Sequence, residues 1–306
     1  MQIIENMEHF EFAGRTCVTL GKYDGIHLGH QAIIDRVFEV SGEELLKVAF
    51  TFSPSPASFF SGRMIPDLMT KEEKRVAFEK AGFDYLWEFP LNERTAATDP
   101  LTFIEDIIYK DLKASVIVGG DDISFGFQGR GDAALLRENE SKFGYRLEML
   151  PKVSVDDMVV SSSLIREYVS EGNMEQVARL LGAPYEIHGF VETGAGKGRQ
   201  FGFPTLNLYP SEDKMLPPFG VYYADVITSQ GTFHAVTDIG VKPTVTSEGR
   251  KVVESYLYGF EGDLDDNEIT VVLLSYRRPE FRFESIDELV RTIGEDKIAG
   301  EKYFGL

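Results

Sequence analysis

The chain has 306 residues, room for about two domains that each bury their own core. Apolar residues make up 43% and charged residues 26%, with 29 Gly and 13 Pro, which is ordinary globular composition and excludes disordered, collagenous and coiled-coil chains. Lys and Arg number 31 against 50 Asp and Glu, a formal charge of −19 spread along both halves. Neither half carries the basic footprint of a nucleic-acid binder. A protein this acidic handles phosphates with backbone N–H groups, a few placed cations and metal ions. Cys17 is the only cysteine, which rules out an internal disulfide and a zinc site built on several thiolates. The opening MQIIENMEHF is acidic where a signal peptide is basic, and no apolar run approaches the roughly 18 residues that span a bilayer. The expectation is a soluble, cytoplasmic protein with no membrane or nucleic-acid partner.

From residue 15 to about 150, short β-rich runs alternate with helical patterns, the signature of a parallel sheet covered on both faces. The predicted strands are Thr16–Leu20, Lys47–Phe52, Asp84–Phe89, Ser115–Val118 and Tyr145–Leu150. A helix should start after Thr70, whose capping box with Glu73 is followed by KEEKRVAFEKAG and the stop at Gly82. Asp99-Pro100 is an N-cap followed by a first-turn proline, and Gly131-Asp132 opens a third helix. Two short helices, SSSLIREYVSEG and NMEQVARLLG, read as a connector, the second capped by Asn173 with Gln176 and closed by Gly182. Past Ala183-Pro184 the texture changes to alternating segments: YEIHGFVE, GVYYADVIT, TFHAVTDIG, VVESYLYGF and EITVVLLSY. These predict an antiparallel sheet or small barrel, and Ser285 with Glu288 opens a final helix. The expected division is 1–183 and 184–306.

Two of the five histidines, His27 and His30, fall in GKYDGIHLGH directly after the first strand. Gly21, Gly25 and Gly29 permit sharp turns and close approach, and the helix starting near His30 points unpaired N–H groups into the loop. A phosphate suits that setting, with the imidazoles donating to oxygens that gain charge during phosphoryl chemistry. Two other readings remain: a histidine pair that only flanks a helix start, or a metal pair completed by Cys17. The segment His27-Leu28-Gly29-His30 matches the HxGH signature of the nucleotidyltransferase superfamily. The longer stretch resembles GxFDGxHxGH of the bacterial bifunctional riboflavin kinase/FMN adenylyltransferases. TFSPSP (51–56) is similar to that family's TFxPHP, GDDISFG (120–126) to GxDFxFG, and SSSLIR (161–166) to SSTxIR. The resemblance implies an ATP site at Gly21, Tyr23, Asp24, Gly25, Gly29, Ser162 and Ser163, catalytic His27, His30 and Arg166, and flavin contacts at Asp122 and Phe125. Ser55 departs from it, standing where the family usually has histidine and removing a phosphate contact.

GAGKGRQFGFPTLN (194–207) invites a phosphate-loop reading, yet Gly198 follows Lys197 where a P-loop has Ser or Thr, and no glycine completes GxGxxG. A hairpin bent at Pro204 is the plainer alternative. GRQFGFPTLN resembles the GRxLGFPTxN signature of riboflavin kinases, and LPPFGVY (216–222), IGVKPT (239–244) and the stretch from Glu254 to Asp296 follow in the family's order. That resemblance implies a six-stranded β-barrel, ATP contacts at Gly196, Lys197, Gly198 and Arg199, Thr205 and Asn207 on Mg²⁺ and the ATP phosphates, and Glu254 as catalytic base. Asp238 stands where the family usually has Asn, Gly259 where it has Asp or Asn, and LDDN (264–267) replaces an LYG turn.

The fold expected is therefore an α/β dinucleotide-fold nucleotidyltransferase domain followed by a riboflavin-kinase barrel with a terminal helix. The implied activities are ATP-dependent phosphorylation of riboflavin to FMN and adenylylation of FMN to FAD, with Mg²⁺ as cofactor. The alternatives are a kinase whose adenylyltransferase half is weak or lost, and a flavin-binding regulator without turnover.

Overall fold

The computed structural model describes residues 1–192, 205–242, 249–261 and 268–306. These form two compact units, Met1–Ser162 and Ser163–Leu306, so the two connector helices group with the second.

In the first unit, strands β1 (Gln2–Glu5), β2 (Thr16–Leu20), β3 (Leu46–Ser53), β4 (Tyr85–Pro90), β5 (Ala114–Gly120) and β6 (Arg146–Leu150) form one sheet in the order β1-β4-β3-β2-β5-β6. Every pairing is parallel. All five residues of β2 are buried, as a central parallel strand covered on both faces requires. Alternate side chains serve different cores. Val18, Val48, Phe50, Trp87 and Ile117 share one cluster, while Cys17, Ala49, Leu86, Val116 and Val118 share the other. Helices α1 (Leu28–Ser41) and α3 (Lys71–Ala81) supply Ile34, Val37 and Phe78 to the second cluster. The first cluster is closed by Phe103, Ile104, Ile107 and Ile108, with Leu136 of α6 (Ala133–Phe143). The strand order reverses between β2 and β5, so the loops after them part to opposite faces and open a crevice at the carboxyl ends, where open α/β sheets bind ligands.

The expected caps form. Thr70 and Glu73 make a complete capping box, Gly82 ends α3 with φ 94°, and Asp132 caps α6. A six-residue helix α2 (Pro56–Ser61) follows TFSPS, and a short α4 (Glu93–Ala96) is capped by Asn92. Asp99 caps α5 (Pro100–Thr102), which widens into a π-helical run, Phe103–Asp111. Strand β1 and the two-residue pair β7 (Ser154–Val155) and β8 (Met158–Val159) were not anticipated. The latter turns on Asp156 and Asp157, both with positive φ as a type I′ hairpin needs.

The second unit opens at the second residue of α7 (Ser162–Glu171) and continues with α8 (Met174–Leu181), the latter capped by Asn173 and closed by Gly182. Strands β9 (Tyr185–Phe190), β10 (Leu206–Leu208), β11 (Gly220–Thr228), β12 (Gly231–Lys242), β13 (Arg250–Leu257) and β14 (Glu268–Pro279) pair antiparallel in the order β10-β13-β12-β11-β14-β9. A bridge between Val191 and Leu208, with the Glu192 N–H donating to the Asn207 carbonyl at 3.0 Å, joins the two ends into a barrel. Tyr222, Ala224 and Val226 alternate into its interior.

Helix α9 (Ile286–Phe304) covers the outside, with Tyr303 stacked on Tyr223 at 4.1 Å and Phe304 on His234 at 4.2 Å. Buried Asp296 holds Arg277 at 2.8 Å and Arg278 at 2.5 Å. The helix approaches the barrel closely at Gly300, where a Cβ would meet the Tyr258 hydroxyl and Val236. At the helix start Ser285 accepts the Glu288 N–H, while the Glu288 carboxylate reaches past the cap to the N–H of Glu284.

Candidate functional site

The loop after β2 is folded back by positive φ at Tyr23 (48°) and Gly25 (71°). Tyr23 is fully buried with its hydroxyl 2.5 Å from Thr19 Oγ1, and a Cβ at Gly21 would meet its ring. Asp24 Oδ1 accepts the Leu68 N–H at 2.7 Å, tying the loop to the segment before α3. His27 then becomes the N-cap of α1, its Nδ1 accepting the His30 N–H at 3.2 Å. His30 Nδ1 lies 2.8 Å from the Gly25 carbonyl. A backbone N–H only donates and a carbonyl only accepts, so neutral His27 carries its proton on Nε2 and neutral His30 on Nδ1. The rings stack with centroids 3.7 Å apart, and a side chain at Gly29 would sit 3.1 Å from His27 Cε1.

Burial pushes His27 down to about 3, with His30 adding to the effect, and burial likewise lowers His30. Both rings are thus neutral at pH 7. His27 offers an Nε2–H to an oxygen gaining charge, and His30 offers a lone pair that an arriving anion would convert to a donor by favouring protonation. Asp122, in the loop after β5, opposes the lowering of both rings, which places its carboxylate in the same electrostatic neighbourhood. It also pairs with Lys152 at 3.0 Å. The two loops that flank the sheet's reversal point therefore bring His27, His30, Asp24 and Asp122 together.

Ser162 Oγ donates to the Asp24 carbonyl at 2.8 Å, joining the start of SSSLIR to the histidine loop. Ser163 is exposed on the first turn of α7, and Arg166, in the second unit, has a guanidinium nitrogen 3.8 Å from Met215 Sδ. Phe125 is 5% exposed and packs on Phe103 in the core beneath its loop. Ser55 is the N-cap of α2, accepting the Ser58 N–H at 3.4 Å. Lys74, passed over in the sequence, is 7% exposed, donates to the Lys22 carbonyl at 3.4 Å and helps lower His30.

In the barrel, the β10–β13 register sets Asn207 opposite Glu254. Thr205 Oγ1 donates to Glu254 Oε1 at 2.6 Å. The ammonium of Lys242 lies 3.3 Å from Glu254 Oε2 and donates to Asn207 Oδ1, and Asn207 is only 4% exposed. A hydroxyl, an amide oxygen and a carboxylate thus converge, hard donors of the kind magnesium takes while keeping waters and phosphate as its other ligands. A cation already sits against two of them. Among the described residues no group of three or more His, Cys, Asp and Glu could hold a metal, so a seat here rests on mixed oxygens. Asp238 lies across from Glu254 in the β12–β13 register. Burial, then Glu280 and Glu254, push it up to about 7 against the pull of Arg278, so near neutrality it is partly protonated and closer in chemistry to an asparagine. Gly259 adopts φ 69°, a region glycine enters without strain. Gly196, Lys197, Gly198 and Arg199, and the LDDN stretch, lie outside the described residues. Lys242 was not singled out from the sequence, although IGVKPT contains it.

Residues 10–164 match the family described as FAD synthetase, and 181–304 match riboflavin kinase. A protein of Pseudomonas fluorescens named bifunctional riboflavin kinase/FMN adenylyltransferase is 31% identical over 301 residues, covering 98% of this chain and 96% of its own. One of the same name from Escherichia coli K12 is 31% identical over 311 residues, covering 100% and 99%. A solved structure titled macrolide-efflux protein, from Streptococcus pneumoniae, is 26% identical with a TM-score of 0.84 and 98% of both chains covered. Among the described residues no helix is long and apolar enough to cross a membrane. With two matched families side by side and relatives aligned from end to end, the chain belongs to the bifunctional riboflavin kinase/FMN adenylyltransferases.

Proposed function

We propose that this chain phosphorylates riboflavin to FMN at the barrel's Thr205–Glu254–Asn207 cluster and adenylylates FMN to FAD at the histidine loop that follows β2. The observation that carries the kinase assignment is the Thr205–Glu254–Asn207 cluster. In the first step the primary alcohol of riboflavin attacks the γ-phosphorus of ATP, Glu254 accepts the alcohol proton, and ADP leaves. Thr205 fixes the carboxylate that receives this proton. The fitting ion is Mg²⁺, held by Thr205 and Asn207, and when bound it neutralises phosphate oxygens. In the second step a phosphate oxygen of FMN attacks the α-phosphorus of ATP and pyrophosphate leaves. His27 donates from Nε2 to an oxygen gaining charge, and His30 does so once the nucleotide has raised its proton affinity. Ser162, Ser163 and Arg166 are assigned to the ATP phosphates, and Asp122 to the flavin side; no protein nucleophile is required. With ATP and flavins as partners, a formal charge of −19 and a single cysteine, Cys17, that is buried, the cytoplasm is the compartment we assign.

One observation favours a second reading. Ser55 is engaged as a helix cap where the family pattern has histidine, which fits a chain that makes FMN well and FAD slowly. Incubating the protein with riboflavin, ATP and Mg²⁺ and chromatographing the flavins tests both: FMN followed by FAD supports the full proposal, and FMN alone supports the second reading. Riboflavin bound but unchanged would leave a regulator.

A further inference from the structure

Lys242 ends β12, and the kinase reading gives it no task. Its ammonium nonetheless touches Asn207 Oδ1, one of the two oxygens assigned to magnesium, and Glu254 Oε2 beside it, while the other assigned oxygen, the Thr205 hydroxyl, is turned onto Glu254 Oε1. We propose that Lys242 is a resident counter-cation of the kinase seat: its ammonium stands in the metal's place in the nucleotide-free protein and gives way when metal and nucleotide arrive together. This rests on the kinase reading above.

A half-buried carboxylate facing an amide oxygen is held in place by a cation between them, and the ammonium supplies it without an ion from solution. A divalent ion on Asn207 Oδ1 and the ammonium on the same atom would be two positive charges within a few ångströms, so both cannot stay. Lysine suits the exchange, since its flexible stem carries a compact charge away, whereas an arginine fork would lock onto the carboxylate. Metal alone must expel the ammonium with nothing to receive it. Metal with nucleotide brings phosphate, which supplies further ligands to the ion and a new partner to the displaced Lys242. The seat therefore stays arranged for use while rejecting bare metal.

The test is Mn²⁺ alone, without nucleotide, titrated into the full chain and followed by loss of the free-ion electron paramagnetic resonance signal. Wild type, Lys242→Met and a control that removes an exposed lysine from the neighbouring strand, Lys251→Met, are compared. The expected result is Mn²⁺ binding about tenfold tighter in Lys242→Met, against less than about twofold for Lys251→Met, because only the former clears the seat. Gains of equal size in the two variants overturn the proposal. Adding Asn207→Ala to Lys242→Met must abolish the gained affinity. If the gain survives that change, the ion is not at Asn207 and the kinase seat itself is misplaced.

Discussion

At His27 one side chain does two jobs, and they separate cleanly. Its Nδ1 caps α1, which leaves the proton on Nε2, so His27→Asn keeps a good cap and removes the proposed donor. The expected outcome is an unchanged melting temperature at pH 7 with FAD formation from FMN reduced about 10²- to 10³-fold, read by chromatography and thermal denaturation together. The same ring sets a pH dependence. Its affinity for protons is depressed from the usual 6.5 to about 3 in the folded chain, so between those values the unfolded chain binds more protons and stability falls as pH falls. Denaturant titrations from pH 7 to pH 4 should show wild type losing stability more steeply than His27→Asn; parallel curves would mean that His27 is not buried neutral. In the barrel, Glu254→Gln keeps the shape and the Thr205 contact but removes the proposed base, and FMN formation should drop about 10²- to 10⁴-fold. The histidines were legible because they cluster in a strand–glycine–helix context. Their opposite tautomers were not, since these depend on the Gly25 carbonyl and the His30 amide. Lys242 was hidden for a related reason: it meets Asn207 only because β13 lies between their strands.

At the scale of elements, helix starts were the most readable feature, because a cap is written within four residues. Thr70 and Asp99 stand where the sequence placed them, and Thr70→Ala should cost about 1 kcal/mol of first-unit stability in denaturant unfolding, through loss of the Glu73 N–H acceptor. Elements that exist through distant partners were unreadable. Strand β1 is four mostly exposed residues that pair with β4 more than eighty positions away, and Glu5 is fixed there by Lys71 and Arg75. The widening of α5 into a π-helix leaves the apolar spacing of an ordinary helix intact, so no pattern announces it. Helix α9 docks through Asp296, whose removal strands Arg277 and Arg278 against the barrel. Asp296→Ala should destabilise the second unit by about 3 kcal/mol, measured as a shift in its unfolding transition, while FAD formation from FMN continues at temperatures where that unit stays folded.

Over the whole molecule, the proposed reading has an acidic chain meet its phosphate-bearing substrates by local means: neutral imidazoles and a helix start in one unit, a lysine and oxygen donors in the other. That a parallel sheet is followed by an antiparallel barrel was legible from the change in texture near residue 184, since alternation with helices and alternation with turns bury their apolar faces in different ways. The central claim is that the two proposed steps use separate sets of residues, with Glu254 serving the phosphorylation step alone. It is tested most directly by supplying FMN, ATP and Mg²⁺ to wild type and to Glu254→Gln and measuring FAD by chromatography. The account predicts FAD from both at the same rate, because the second step does not use the barrel's base. No FAD from wild type, or FAD lost with Glu254, would contradict it.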